Sequence, residues 1–381
     1  MKPIRGSRMM GAWRFLAIAG VMIKYGLADI AGRLFGPRRS TELGPDAPPA
    51  TLRIPSPERI RQALEALGPS FIKLGQLMST RADVFPPAYI DEFRKLQDSI
   101  APFPFRQVRR MVETELKRPL AEIFADFDPT PIGAASVAQV HQAKLFSGDQ
   151  VAVKIIRPGI ERIIQKDIRL MYYFAGQLEK WFEVARLLGA VHLVQEFERT
   201  IFRELDMYIE GGSLEKFSTL FEDSEEIAIP RVYWELTTRS VLVMAFVEGC
   251  KMDDVGAIQA YGIDPREIAM IGLRSFSRQL MEFGFFHADP TPGNTLVMPD
   301  GRVALVDFGI TGLIDDAMMR QIANLFLGYA EHDYDLVMEA LEGAGLLGED
   351  DFDRDGFRRD LMEISEPFYG RALQSVSVRE V

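Results

Sequence analysis

Between Phe283 and Thr311 the chain reads FGFFHADPTPGNTLVMPDGRVALVDFGIT, and this stretch restricts the fold more than any other. Two apolar runs, Leu296-Val297-Met298 and Val303-Ala304-Leu305-Val306, flank Pro299-Asp300-Gly301, the composition of a β-hairpin and its turn. Before the first run stand Asp289 and, five residues later, Asn294; after the second stands Asp307, in an Asp-Phe-Gly turn. Either pattern alone is matched by ordinary loop carboxylates. Carried together on opposite arms of one hairpin, they supply a proton-accepting carboxylate and two oxygen ligands for Mg²⁺, the groups that phosphoryl transfer requires. Asp289 is therefore the candidate base or water-positioning residue, and Asn294 and Asp307 are the candidate metal ligands. Of the four histidines only His287 takes a role, as organiser of the Asp289 loop.

A nucleotide site needs a second half, and the sequence upstream supplies it. Gln150–Ile156 (QVAVKII) is a short apolar strand after a Ser147-Gly148-Asp149 turn. Alternation places Ala152 and Lys154 on one face and Val151, Val153 and Ile155 on the other. A lysine among buried positions is costly without an anion, and the α- and β-phosphates of ATP or ADP are such an anion. A strand pair before it, around Pro131-Ile132 and Val137–Lys144, is joined by Gly133-Ala134-Ala135-Ser136. Protein kinases carry a glycine-rich phosphate flap at this place; Ala134 and Ala135 restrict the backbone more than glycine and narrow its approach to the phosphates. Later, Val241–Gly249 reads as a buried strand running into a hinge. Met244 would be the bulky residue behind adenine, and backbone groups from Ala245 through Phe246 to Val247 would face it; an apolar core strand accounts for the same residues if no nucleotide binds.

Further motifs carry a specific resemblance. Phe71-Ile72-Lys73-Leu74-Gly75-Gln76 contains K-x-G-Q, Ala134-Ala135-Ser136 is an alanine-rich turn, Glu204-Leu205-Asp206 is E-x-D, and His287–Asn294 reads HADPTPGN. In this order they resemble the UbiB-type atypical kinases, the aarF-domain or coenzyme-Q-biosynthesis kinase-like family, from about Pro57 to the end of the chain. Thr291 stands where the family usually has His, and Gly211-Gly212 follow Glu210 where small helix formers are usual. The resemblance implies an α+β, two-lobed protein-kinase-like fold with an N-terminal helical extension carrying the K-x-G-Q motif. It implies that Glu210 pairs with Lys154, and that the helix of Lys73 and Gln76 lies over the cleft, where Lys73 meets Glu204 or Asp206 near the phosphates. It implies ATP or ADP with Mg²⁺ as cofactors and an ATPase or small-molecule kinase supporting isoprenoid-quinone synthesis. The partners implied are quinone-biosynthesis lipids or enzymes, at the cytoplasmic face of an inner membrane. Family members usually continue with further helices beyond the point corresponding to Val381, so the C-terminal lobe is expected to be incomplete. A choline- or aminoglycoside-kinase type of phosphotransferase and a non-catalytic, nucleotide-gated scaffold are the competing readings, and self-association as a homodimer is left open.

The sequence divides into a basic segment at 1–40, a Pro-rich linker at 41–57, the helical extension at 58–118, an N-lobe with a helical insert at 119–249 and a C-lobe at 250–381. The first segment carries eight Lys and Arg against one acid, Asp29, on a chain whose net charge is −11. That overall charge argues against nucleic acid as a partner, and a single cysteine, Cys250, excludes a disulfide framework and suits a reducing, cytoplasmic setting. The apolar run Phe15–Ile23 is too short to span a bilayer. With Trp13, Phe15, Leu16, Ile18 and Met22, the segment has the composition of a helix lying on an anionic membrane surface, or of a terminal helix packed on the protein. Glu58–Leu67, Pro69–Thr80, Ala88–Gln97, Ile160–Leu188, Ala317–Ala330 and Phe352–Leu373 read as helices. Val194, Phe197, Ile201, Leu205 and Tyr208 recur at helical spacing, which puts Glu204, Asp206 and Glu210 on one helix, the last two sharing a face. No long activation segment follows Asp307-Phe308-Gly309, so external protein substrates are discounted.

Overall fold

The structure, a computed structural model, describes residues 6–25, 56–82, 84–96, 101–181, 185–186, 189–347 and 353–365. The chain forms two compact units, Met1–Cys250 with Ala304–Gly309, and Lys251–Val303 with Ile310–Val381.

The first unit is built on a four-stranded antiparallel sheet in the order β1 (Phe124–Ala134), β2 (Ala138–Leu145), β3 (Gln150–Ile156), β4 (Val241–Ala245). Alternation along β3 divides its side chains as the sequence predicts. Val151, Val153 and Ile155 join Val241 and Val243 of β4 in a fully buried cluster, closed by Val108 and Val112 of helix α5 (Phe105–Leu116), by Leu120 of the short helix α6 (Leu120–Ile123) and by Phe103 and Phe124. On the opposite face Lys154 is paired in register with Leu242, and Ala152 with Met244. One face of the sheet is thus committed to this cluster, and the other carries Lys154 among the buried Ala152, Leu242 and Met244.

Ahead of α5 the extension forms α2 (Pro57–Leu67), α3 (Pro69–Ser79) and α4 (Pro87–Phe93). The glycine of the K-x-G-Q motif is explained by their packing. A Cβ on Gly75 would lie 2.2 Å from Leu96 Cδ1 and 2.9 Å from Leu64 Cδ1, both in buried leucines. Helix α1 (Gly6–Lys24) packs on the protein. Its Phe15 ring stacks on Phe174 with centroids 5.9 Å apart, and Ile18 is 1% exposed. Of the two readings open for this segment, Phe15 and Ile18 thus follow packing on the protein, whereas Leu16 and Ile23 stay exposed. The Trp13 side chain and the Pro-rich linker lie outside the described residues, and no described helix is long and apolar enough to cross a membrane.

Helix α7 (Ile160–Trp181) buries Ile160, Ile164, Ile168 and Met171, an i, i+4, i+8, i+11 stripe. The continuous helix expected through Glu204–Glu210 does not form. Helix α8 (Ala190–Glu204) ends at Glu204, and α9 (Met207–Leu220) begins after Asp206. Asp206 is extended (φ −124°) and its carboxylate accepts the Tyr208 N–H, making it the N-cap of α9. A short acidic side chain that can cap offers the backbone an alternative to continuing the helix, so Asp206 sits outside the helix that carries Glu210 and shares no face with it. Gly211-Gly212, by contrast, do not interrupt α9. A Cβ at Gly211 would lie 3.0 Å from the Trp234 ring and 3.4 Å from Leu242, so the missing side chain lets α9 approach the sheet.

In the second unit, α10 (Pro265–Met281) leads to β5 (Phe285–His287), which pairs antiparallel with β8 (Thr311–Leu313), His287 opposite Thr311. Strand β6 (Thr295–Val297) precedes the expected turn, where Met298 N–H donates to the Arg302 carbonyl at 2.9 Å, and β7 (Val303–Leu305) follows it, its last two residues belonging to the first unit. Asp315 caps α11 (Asp316–Glu331) by accepting the Met318 N–H at 2.8 Å; α12 (Tyr334–Gly343) and α13 (Arg354–Ser365) follow. The remainder of the helix expected to reach Leu373 lies outside the described residues.

Because Gly75 admits two buried leucines, Gly75→Val should destabilise the protein by about 2 kcal/mol or more through overpacking. Urea denaturation monitored by circular dichroism measures this, and an unchanged midpoint and slope would refute the packing role.

Candidate functional site

The charged face of the sheet is organised around one amine. Lys154 Nζ donates to Glu210 Oε1 at 2.6 Å and to Asp307 Oδ2 at 3.0 Å, and its side chain is 13% exposed. β3 delivers the lysine, α9 brings Glu210 in its first turn after the Asp206 cap, and Ala304–Gly309 brings Asp307. Asp307 Oδ1 accepts the Gly309 N–H at 3.0 Å. Phe308 fixes the turn from behind, buried to 1% exposure with its ring 4.6 Å from that of Phe217 on α9.

The electrostatics follow from burial and neighbours. Burial disfavours the Lys154 cation, but Asp307 and Glu210 outweigh it and hold the ammonium well above its ordinary value. Burial dominates at Glu210 and pushes its carboxyl up to about 7, against the pull of Lys154. At Asp307 burial also opposes ionisation, yet Lys154, the Gly309 N–H and Lys73 bring the carboxyl down to about 2. At neutral pH Asp307 is thus the firm negative charge, while Glu210 is the group that titrates.

The E-x-D residues part company. Glu204, at the end of α8, forms an ion pair of 2.7 Å with Lys73 of α3. Asp206 caps α9 and lies 3.3 Å from Arg239, so of the two acids only Glu204 meets Lys73 in this arrangement. The Gln76 amide donates to the Leu96 carbonyl, tying α3 to the chain after α4. Sequence reasoning missed Asp167. It is 1% exposed on α7, takes a two-pronged bond from Arg14 of α1 (2.7 and 2.9 Å) and another from Ser70 Oγ of α3 (2.7 Å). Arg14 also reaches the Leu67 carbonyl at 2.7 Å. A lone aspartate on an amphipathic helix carries no signal of this; only the partners, remote in sequence, reveal it.

At the end of β4, Met244 is buried, the Ala245 N–H is taken by the Arg231 carbonyl and the Phe246 N–H by the Gln150 carbonyl. Of the three hinge amides, Val247 is therefore the one with no internal acceptor among the described residues. In the alanine-rich turn, Ala135 N–H donates to the Ala138 carbonyl at 2.8 Å, and Ser136 is fully buried, its hydroxyl without a partner among the described residues.

Within the second unit, Asn294 Nδ2 donates to the Asp289 carbonyl (3.0 Å) and to Asp289 Oδ2 (3.2 Å). Asp289 N–H donates to His287 Nδ1 at 3.1 Å, which assigns the histidine proton to Nε2, and His287 is 1% exposed with its own N–H held by Gln279. Both amide bonds of Asn294 come from nitrogen, so its carbonyl oxygen retains coordinating capacity. Among the described residues no group of three or more His, Cys, Asp or Glu is placed to hold a metal. Asp307 of the first unit, whose side chain is 39% exposed, and Asn294 of the second each carry a hard oxygen donor of the kind Mg²⁺ takes.

The sequence matches the ABC1 atypical kinase-like domain over residues 95–341. It is 37% identical over 324 residues to the probable protein kinase UbiB of Marinobacter nauticus, covering 84% of this chain and 59% of that one. It is 36% identical over 332 residues to the probable protein kinase UbiB of Aliivibrio fischeri strain MJ11, covering 86% and 61%. The chain thus spans about three fifths of the length of these relatives. Among solved structures it is similar to the complex of Rv3197 with erythromycin from Mycobacterium tuberculosis, with a TM-score of 0.57, 26% identity, and coverage of 77% of this chain and 73% of that one. The α+β, kinase-like fold expected from the sequence is the one these matches share.

The Glu210 carboxyl yields a signed pH dependence. Its folded value near 7 lies above its ordinary 4.5, so between those limits the folded state holds a proton that the unfolded chain releases. Stability contributed here is full at the acid end and declines as pH rises through the interval. Glu210→Gln should remove that component. Melting temperatures recorded from about pH 5 to about pH 7 should fall less steeply for the variant, and parallel profiles would contradict the assignment.

Proposed function

We propose that this chain, which belongs to the ABC1 atypical kinase-like family, binds an adenine nucleotide with Mg²⁺ and transfers its terminal phosphoryl group to a small acceptor or to water. The observation that carries the reading is the Lys154–Glu210–Asp307 triangle: a buried cation with more carboxylate around it than a structural lysine needs, on the sheet face opposite the Val151, Val153 and Ile155 cluster. In this reading Lys154 binds the α- and β-phosphates, and Glu210 keeps its ammonium in place. The Val247 N–H donates to adenine, Met244 closes the space behind it, and Ala134–Ser136 lie over the phosphates. Asp307 and Asn294 would hold the metal, which when bound would supply charge neutralisation for the phosphate oxygens.

Asp289 takes the chemical role. The bond between the γ-phosphorus and the bridging oxygen breaks, a bond from the acceptor oxygen forms, and the acceptor's proton passes to Asp289. The diphosphate leaves with the bridging electron pair. Two contacts orient this carboxylate: its own N–H rests on the buried His287, and Asn294 holds Oδ2.

On the family resemblance carried by the K-x-G-Q, E-x-D and HADPTPGN motifs, we assign the acceptor to the isoprenoid-quinone precursors, met at the cytoplasmic face of an inner membrane. The exposed Leu16 and Ile23 beside Lys24 on α1 support a peripheral contact of this kind. Protein substrates fit poorly, because Asp315 already caps α11 six residues after Gly309, leaving no room for a peptide-docking segment. Lys73 and Glu204 serve as a latch that holds α3 against the end of α8 near Gly309, whose Cβ position lies 3.9 Å from Glu204.

Asp289→Asn decides between catalysis and a nucleotide-gated scaffold. MgATP hydrolysis by the purified protein, measured with anionic liposomes and a quinone-precursor mimic, should fall by about 100-fold or more in the variant. MgADP affinity should stay within about threefold, a change of less than 1 kcal/mol. Equal turnover in the two proteins would leave the scaffold as the better reading.

A further inference from the structure

We propose that Arg157 is the positioning residue for the alanine-rich turn, clamping it to the strand of Lys154 and to the segment that enters from the helical extension. The consequence for phosphates rests on the nucleotide reading above; the clamp itself does not.

The alanines of the turn restrict its backbone, but a methyl group cannot reach across to fix where the turn lies. Arg157, one residue beyond β3, supplies that fixation from both sides of Ser136. Its main-chain N–H donates to the Val137 carbonyl at 2.7 Å, and its Nη2 reaches the Ala135 carbonyl at 3.4 Å. The same Nη2 donates to the Ala101 carbonyl at 3.2 Å, and the guanidinium lies over the Phe103 ring, 5.2 Å from its centroid.

The 101–103 segment is in turn no loose end. Phe103 is buried, its N–H donates to Gln139 Oε1 at 2.9 Å, and its carbonyl accepts from Gln139 Nε2 at 3.3 Å. Gln139 is itself 1% exposed on β2 and contacts the buried His141 at 2.8 Å. One guanidinium therefore joins three pieces: the strand that carries Lys154 three residues earlier, the turn assigned to the phosphates, and the chain connecting the extension to the sheet.

The chemistry singles out arginine. A packing role over Phe103 could be filled by an apolar side chain without leaving Arg157 Nε buried and partnerless among the described residues, as it is here. What an apolar residue cannot do is donate to two carbonyls, and what a lysine cannot do is donate to both from one planar nitrogen of a group whose flat face covers an aromatic ring. The Ala135 contact is the longest of the set, so it is the first to give when the turn moves. In this arrangement the turn's height over bound phosphates is set by Arg157 together with the alanines, and a shift of the 101–103 segment changes it. Nothing in the sequence marks Arg157 except its place ahead of Pro158-Gly159, where β3 must stop.

Hydrogen–deuterium exchange on the nucleotide-free, full chain tests the clamp, with Arg157→Met and Arg157→Lys as variants and near-UV circular dichroism to establish that both fold. The Ala135 amide, bonded to Ala138 in the closed turn, should exchange about tenfold faster in both variants, with the β3 amides unchanged. Calorimetric titration with MgATP and MgADP should then show the ratio of the two affinities moved by about threefold or more, in the same direction for both variants. Unaltered exchange at Ala135 overturns the clamp whatever the nucleotides do. Faster exchange with an unmoved affinity ratio overturns its control of the phosphates. A wild-type protein that binds neither nucleotide overturns the nucleotide reading and leaves the exchange result to judge the clamp alone.

Discussion

A buried ammonium group must be answered by negative charge, and much of the first unit is arranged to answer one. Lys154 sits on β3, where alternation gives the odd residues to one core cluster and puts Lys154 on the other face, between the buried Ala152 and Ile156. Removing one partner from a buried ion pair costs about 3–5 kcal/mol, while the intact pair adds little to stability over an apolar replacement. Such a group is therefore poorly explained by folding alone. Its two carboxylates also arrive from distant parts of the chain, 56 and 153 residues away. The sheet, α9 and the Asp307 turn are held in mutual register by that amine.

Two further charged contacts extend the arrangement outward from the sheet. Lys73 on α3 meets Glu204, which ends α8 two residues before the cap of α9. The buried Asp167 on α7 gathers Arg14 from α1 and Ser70 from α3, the latter less than one helical turn from Lys73. The helix carrying K-x-G-Q is thus pinned at both ends of a single turn: by its serine to α7 and, through the same aspartate, to α1, and by its lysine to α8. Gly75 lies on the side that packs against Leu64 and Leu96, so the motif combines one charged contact, one close approach and one amide tie to the backbone. Each of its fixed letters has a separate physical reason.

How much of this could be read beforehand depended on the kind of signal. The strand Gln150–Ile156 was legible to the residue, because strict alternation between a turn and a Pro-Gly stop leaves one register. The hairpin turn at 299–301 and the Asp315 cap were legible from turn and capping chemistry. The break between α8 and α9 was not, because Leu205 and Tyr208 continue the apolar period across it; the period reported burial on both helices, and the capping preference of Asp206 prevailed over it. The docking of α1 was ambiguous for a similar reason: Phe15 and Ile18 suit a lipid surface and a protein surface equally, and the deciding partner, Asp167, lies 153 residues from Arg14. Gly211, a departure from the small helix formers usual at that place, has its reason in Trp234, which leaves no room for a side chain there. Local rules thus recovered the elements, and long-range charge and close packing decided what the elements do to one another.

The account stands on Lys154 as a phosphate-binding amine, and the most direct measurement is the affinity of MgADP for the wild type and for Lys154→Met by titration calorimetry, with the fold of the variant checked by near-UV circular dichroism. A folded variant whose affinity drops by about 100-fold, equivalent to about 2.7 kcal/mol, is the predicted result. A folded variant that binds MgADP as tightly as the wild type would contradict the account, and would reduce the triangle to an internal ion pair.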